Sequence, residues 1–299
     1  MQHLVAHSVP PYWLIHDWHE AATLWSRVLA LGPIHAAVIM PDHVHVVMRR
    51  PRWPAWLGCL SGYARWRNHR RGEQGRAVWL PTPPPEPLRS RKHLDRSIRY
   101  VHLNPCRDHL VGDPLAWAYS THRDAVGLAL PGILAPERDP FRFHAYVSSD
   151  PSVTVDGTDL PFGLRGMHDH TTESVEAAVS ALTRTTMDDL RRRGPARTLL
   201  IQALVELTPQ RAIDVARLLD VAPSTITRTP HLPRGDGLLI GRVAGDHRFG
   251  PLYDQPLTGL PEWRRYRDGR VHRGAYAKLV ELAAPRLHRR NRSQRPSCI

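Results

Sequence analysis

Residues 36–48 read AAVIMPDHVHVVM, and this stretch decides the fold class. Val38, Ile39, Val44, Val46 and Val47 are β-branched and Pro41-Asp42 interrupts them, so the pattern predicts strand, turn, strand. Side chains alternate faces along a strand, which sets Val44 and Val46 on one face and His43, His45 and Val47 on the other. Two imidazoles therefore point the same way from an apolar strand. Upstream, Ala21, Leu24, Trp25, Val28 and Leu31 recur at spacings of three and four, predicting an amphipathic helix over 18–31 that Gly32-Pro33 ends. Downstream, a second helix is predicted over 55–70. Residues 81–87 hold five prolines in seven. They predict a loop or a sheet edge, because proline donates no ladder hydrogen bond. A third helix, over 94–103, aligns Leu94, Ile98 and Val101 and is expected to end at Asn104-Pro105.

Farther along, residues 113–127 predict a loop and a short helix, and 131–161 is rich in Pro, Asp, Ser and Gly. Helical patterns continue over 173–182, 187–193, 196–207, 211–219 and 224–228. The last two flank a short turn, which is helix-turn-helix spacing. In that reading Ser224, Thr225, Thr227 and Arg228 face a DNA major groove; a small helical bundle without DNA contact has the same apolar spacing. The resulting division is a first domain over 1–145, a linker over 146–172, a helical domain over 173–230 and a basic extension over 231–299.

Lys and Arg outnumber Asp and Glu by 41 to 28 in 299 residues, a net charge of +13. Such a surplus favours polyanions through counterion release, so nucleic acid is the expected partner. No apolar run approaches the roughly 20 residues of a membrane helix, and Met1 to Pro10 shows no secretory pattern. A cytoplasmic protein is expected. Cys59, Cys106 and Cys298 are far apart and odd in number, which argues for reduced thiols over disulfides or a zinc site. No glycine-rich phosphate cradle is present.

A His-x-His pair is weak evidence in a chain with 19 histidines, where chance placement gives about one. His168-Asp169-His170 lies in a polar loop and reads as solvated surface. His43-Val44-His45 is better placed, because a strand can fix two ring nitrogens toward one ion. Tyr100 and Asn104 stand at i and i+4, so phenol and amide project from one helical face. By itself that pair also fits a helix terminator and a core tyrosine. Arg65, Arg67, Arg70 and Arg71, interleaved with Tyr63 and Trp66, suit unpaired bases beside phosphates, or a solvated helix face. Arg91 and Lys92 precede the third helix and could grip phosphates near Tyr100. Asp42 reads as a turn former, and His102 is expected to point away from Tyr100.

Together these segments resemble a known family. Met40-Pro41-Asp42-His43-Val44-His45-Val46-Val47 is similar to the metal-binding strand of the single-tyrosine HUH transposases. Tyr100-Val101-His102-Leu103-Asn104-Pro105-Cys106-Arg107 is similar to their tyrosine helix. Residues 110–123 resemble the segment just after that helix in the REP-associated tyrosine transposases, relatives of the insertion-sequence-200-like enzymes. The resemblance covers about residues 1–145. It implies an α+β, ferredoxin-like antiparallel sheet with helices on one face, followed by the helical domain. It also implies a nuclease and strand transferase acting on single-stranded or hairpin DNA at the bacterial nucleoid. By carry-over, His43, His45 and Asn104 would hold Mg2+ or Mn2+ and Tyr100 would be the nucleophile. Two alternatives stay open: a non-catalytic DNA-binding regulator on the same scaffold, and a metal hydrolase that uses water.

Overall fold

The computed structural model describes residues 1–9, 13–49, 53–157, 159–161, 169–253 and 257. The segment QHLVAH forms β1 (Gln2–His7), which buries Leu4 and Ala6 on one side. Helix α1 (Trp18–Leu29) opens at Asp17, whose carboxylate accepts the Glu20 amide N–H at 2.8 Å. Strands β2 (Ile34–Ile39) and β3 (His43–Met48) form the hairpin expected from 36–48. Helix α2 (Trp53–Arg71), the two-residue β4 (Glu86–Pro87) and helix α3 (Arg91–Arg107) complete the unit. The sheet order is β2-β3-β1-β4 with every neighbouring pair antiparallel, the ferredoxin-like arrangement. The proline-rich segment supplies an edge strand and no more, pairing Gln2 with Pro87 and His3 with Glu86.

Leu4, Ala6, Ala37, Ile39, Val44 and Val46 pack beneath α1 and α2. Ala36, Val38 and Val47, on the other face, meet Leu94 and Val101 of α3 together with Trp117. Helices therefore cover both faces where one was expected, and α3 lies on the histidine side. Helix α3 also runs past its expected end, through Pro105. Proline removes just the N–H that would reach the Val101 carbonyl. The ladder resumes with Asp108 N–H donating to the Asn104 carbonyl at 3.0 Å and Leu110 N–H to the Pro105 carbonyl at 2.9 Å. Asn104 thus sits within the helix and shares a stripe with Tyr100.

The remaining helices are α4 (His122–Ala125), α5 (Pro140–Ser148), α6 (Thr172–Thr183), α7 (Met187–Leu190), α8 (Pro195–Leu207), α9 (Ala212–Leu218), α10 (Pro223–Arg228) and α11 (Arg234–Val243). Two of them, α5 and α11, lie outside the helices expected from sequence. Pro140 begins α5 at the first turn, where proline is tolerated, and three glycines dilute the pattern of α11. Leu115, Val126 and Leu128 pack with α6, α8, α9 and α11 in a second core. The packing boundary therefore precedes the 146–172 linker. Buried Arg123 joins the two parts by donating to the Leu115 and Ala181 carbonyls, both at 2.7 Å. Helices α9 and α10 pack on one another across a turn where Asp220 takes φ +49°.

One polar feature threads the interior. His102 of α3, His122 of α4 and His144 of α5 are fully buried. His102 Nε2 meets the Thr121 hydroxyl at 3.1 Å, His122 Nδ1 lies 3.3 Å from His102 Nδ1, and His122 Nε2 meets His144 Nδ1 at 2.9 Å. His102 does point away from Tyr100. His170, expected on a solvated surface, is buried near Gly241 instead; His168 and most of the 231–299 extension, including Cys298, lie outside the described residues. Cys59 and Cys106 are buried free thiols. Among the described residues no helix is long and apolar enough to cross a membrane.

Candidate metal and tyrosine site

The β1–β3 register places His7 opposite His43 and Val5 opposite His45, so four imidazoles, of His3, His7, His43 and His45, share one sheet face. Ring centroids are 4.8 Å apart for His43 and His45, 5.0 Å for His3 and His45, and 5.2 Å for His7 and His43. His43 and His45 are each 4% exposed. Onto this face α3 lowers Tyr100, whose ring meets His45 edge-on at 5.5 Å. Asn104, 2% exposed, faces both the His43 ring and the Tyr100 hydroxyl. Tyr100, Asn104, His43 and His45 thus lie together on one sheet face.

The surroundings tune these groups. His43 Nδ1 lies 2.6 Å from the Asp42 carboxylate, so Asp42 is the partner of an imidazole as well as a turn residue. Burial is the largest influence on His43 and disfavours its cation. The charge and hydrogen bond of Asp42, with help from Asp108 and Asn104, outweigh it and raise the pKa above the ordinary histidine value. Burial likewise raises the Tyr100 phenol; Asn104 and Arg107 oppose that rise, and Asp108 adds to it. The Arg107 guanidinium lies 5.1 Å above the Tyr100 ring.

The donor set suits a small divalent cation. Two imidazoles and an amide match the mixed nitrogen and oxygen ligation that such ions accept. Asn104 Nδ2 is buried and finds no acceptor at hydrogen-bonding geometry, an uncommon state for a buried amide. A half-turn of the amide presents its carbonyl oxygen there, where a cation would satisfy it. Among the described residues no group of three or more His, Cys, Asp or Glu is arranged to hold a metal, so ligation would depend on Asn104 as third donor. The edge contact between Tyr100 and His45 leaves no gap for a phosphate between the two rings. Tyr100 is 37% exposed, and its ring would have to swing off His45 to meet a phosphate.

The expected DNA-binding cations divide. Arg65 is exposed. Arg67 is not a surface cation: it is 2% exposed and donates to the Glu73 carboxylate and the Trp13 carbonyl, both at 3.1 Å. Arg70 pairs with Asp17 at 2.9 Å and Arg71 with Glu20 at 2.5 Å, which fastens α2 to the start of α1. Arg91, paired with Asp95 at 2.9 Å, and Lys92 are exposed at the start of α3. Ser224, Thr225, Thr227 and Arg228 are exposed on α10 while Ile226 is buried beneath them. Four neighbours of the site are not evident from sequence: His3, His7, Arg107 and Asp108. The alternation His3-Leu4-Val5-Ala6-His7 carried the signal for the first two. Asp108 continues the i, i+4 stripe of Tyr100 and Asn104.

No protein-family model and no curated protein matches the chain. A solved structure of a REP-associated tyrosine transposase bound to a REP hairpin aligns with 55% of this chain and 91% of its own, at 16% identity and a TM-score of 0.36.

Proposed function

We propose that the protein is a metal-dependent nuclease and strand transferase for single-stranded, hairpin-forming DNA, acting through a 5′-phosphotyrosine on Tyr100. The observation that carries this reading is the convergence of Tyr100 and Asn104 with His43 and His45 on one sheet face. The Tyr100 oxygen attacks the scissile phosphorus, an O–P bond to tyrosine forms, and the bond from phosphorus to the 3′-oxygen breaks. That oxygen leaves as a 3′-hydroxyl after taking up a proton. The linkage retains the phosphodiester, so a later 3′-hydroxyl can reverse the step and join strands. Before attack the phenol must pass its proton to a base; burial raises its pKa, and Asn104 and Arg107 offset that rise only in part. Mounting the phenol on a helix restricts its approach, which can contribute several kcal/mol, on the order of a well-oriented intramolecular reaction. Mg2+ or Mn2+ held by His43, His45 and Asn104 would polarise the phosphate and neutralise its developing charge.

The test is a single-stranded hairpin oligonucleotide incubated with the full-length protein and Mn2+. A covalent protein–DNA adduct is expected on a denaturing gel and absent in Tyr100→Phe. An adduct that persists in that variant refutes the assignment. A second reading draws on the exposed Ser224, Thr225, Thr227 and Arg228 of α10: a duplex-DNA-binding regulator, working from the nucleoid, that has kept the scaffold without the chemistry. Metal-independent duplex binding with no cleavage of any hairpin favours it.

A further inference from the structure

The two imidazoles proposed to hold a cation are secured at their inner nitrogens by different partners. His43 Nδ1 meets the Asp42 carboxylate at 2.6 Å. His45 Nδ1 meets His3 Nε2 at 3.0 Å, with the rings stacked at 5.0 Å. His3 Nδ1 in turn lies 3.8 Å from the Glu86 carboxylate. An N–H···N contact needs a proton on one nitrogen and a lone pair on the other. The negative charge of Glu86 favours the His3 proton on Nδ1, the nitrogen that faces it. His3 Nε2 is then the acceptor, His45 carries its proton on Nδ1, and His45 Nε2 keeps the lone pair that ligation requires.

We infer that His3 is a positioning residue that, with Glu86, holds His45 in the tautomer whose Nε2 can ligate a divalent cation. The inference rests on the proposed role of His45 as a ligand and extends it to β1 and β4. It also gives the two-residue β4 a purpose. The pairing of His3 with Glu86 is one of its two rungs, and it brings a carboxylate against the ring edge of His3. Each candidate ligand then has its own partner: a carboxylate next to it in the chain for His43, and a cross-strand imidazole backed by a carboxylate for His45.

Two measurements on the full-length protein test this. Nitrogen-15 NMR of the metal-free protein reads the His45 tautomer, and calorimetric titration with Mn2+ reads affinity. The wild type should show the Nδ1–H form of His45. His3→Leu should populate the other tautomer and weaken Mn2+ binding by about tenfold or more. His3→Gln, whose side-chain oxygen can accept where Nε2 did, should restore both readouts. Glu86→Ala alters an exposed side chain that the fold does not need, and should shift the tautomer in the same direction. An unchanged His45 tautomer in both His3→Leu and Glu86→Ala overturns the inference. A wild type that binds no Mn2+ overturns the metal reading instead, and the tautomer then decides whether His3 holds His45, so the two failures are distinguishable.

Discussion

Acid should unfold this protein through His102, and the size of the effect can be worked from its surroundings. His102 is fully buried between Thr121 and His122, and burial lowers its pKa from 6.5 to about 3. Above pH 6.5 it is neutral in both folded and unfolded chains. Below that value the unfolded chain takes up a proton that the folded one refuses, so stability falls by about 1.4 kcal/mol per pH unit. The loss from His102 alone is about 2 kcal/mol at pH 5 and about 4 kcal/mol by pH 3. His122 and His144, lowered in the same direction by burial, add to it. Folded domains hold roughly 5–15 kcal/mol in total, so losses of this size matter. His43 acts with opposite sign: its raised pKa contributes stability that is full below 6.5 and is lost as pH rises through its folded value. Comparing wild type with His102→Gln cancels that contribution. Urea unfolding at half-unit steps from pH 7 to pH 4.5 should give a wild-type slope steeper than the variant's, the difference averaging about 1 kcal/mol per unit and approaching about 1.4 below pH 5.5. Parallel slopes would refute the argument.

Two further outcomes separate structural from binding cations. Arg67→Met should cost about 1–3 kcal/mol of stability, because it leaves the Trp13 carbonyl without its donor and removes one of the two arginines on Glu73, Arg76 remaining; Arg65→Ala should stay within about 0.5 kcal/mol while weakening single-stranded DNA binding, as chemical denaturation and fluorescence anisotropy would show. Arg228→Ala should weaken duplex binding and lower the salt slope by about one, with hairpin cleavage unaltered; an unchanged slope removes α10 from the DNA interface.

The parts that were legible in the sequence are those with strong local periodicity. The 36–48 hairpin, the stripe of α1 and the shared face of Tyr100 and Asn104 come from spacing alone, and the structure places them as expected. Cross-strand partners were harder to read, because they depend on register. His3 and His7 alternate visibly, yet nothing local says that β1 pairs with β3 and lays them beside His45 and His43. Asp42 reads as turn chemistry because strand alternation fixes the face of His43 but not the ring rotation that brings its Nδ1 to the preceding carboxylate. Pro105 looked like a stop, but one missing N–H is tolerated where the next carbonyls regain partners. Arg67 and Arg65 look alike in sequence, and the tertiary packing of α2 on α1 decides which is buried.

Helix α3 presents the Tyr100 phenol on one side and an uncharged imidazole chain on the other, within three consecutive residues. Any rotation of this rod that advances Tyr100 must also slide His102 against Thr121 and His122. Repositioning the Tyr100 phenol by mutation therefore means recutting the interior of the protein along with its surface, and laboratory evolution that moves this ring should find paired changes at 102 and 122 more readily than single ones.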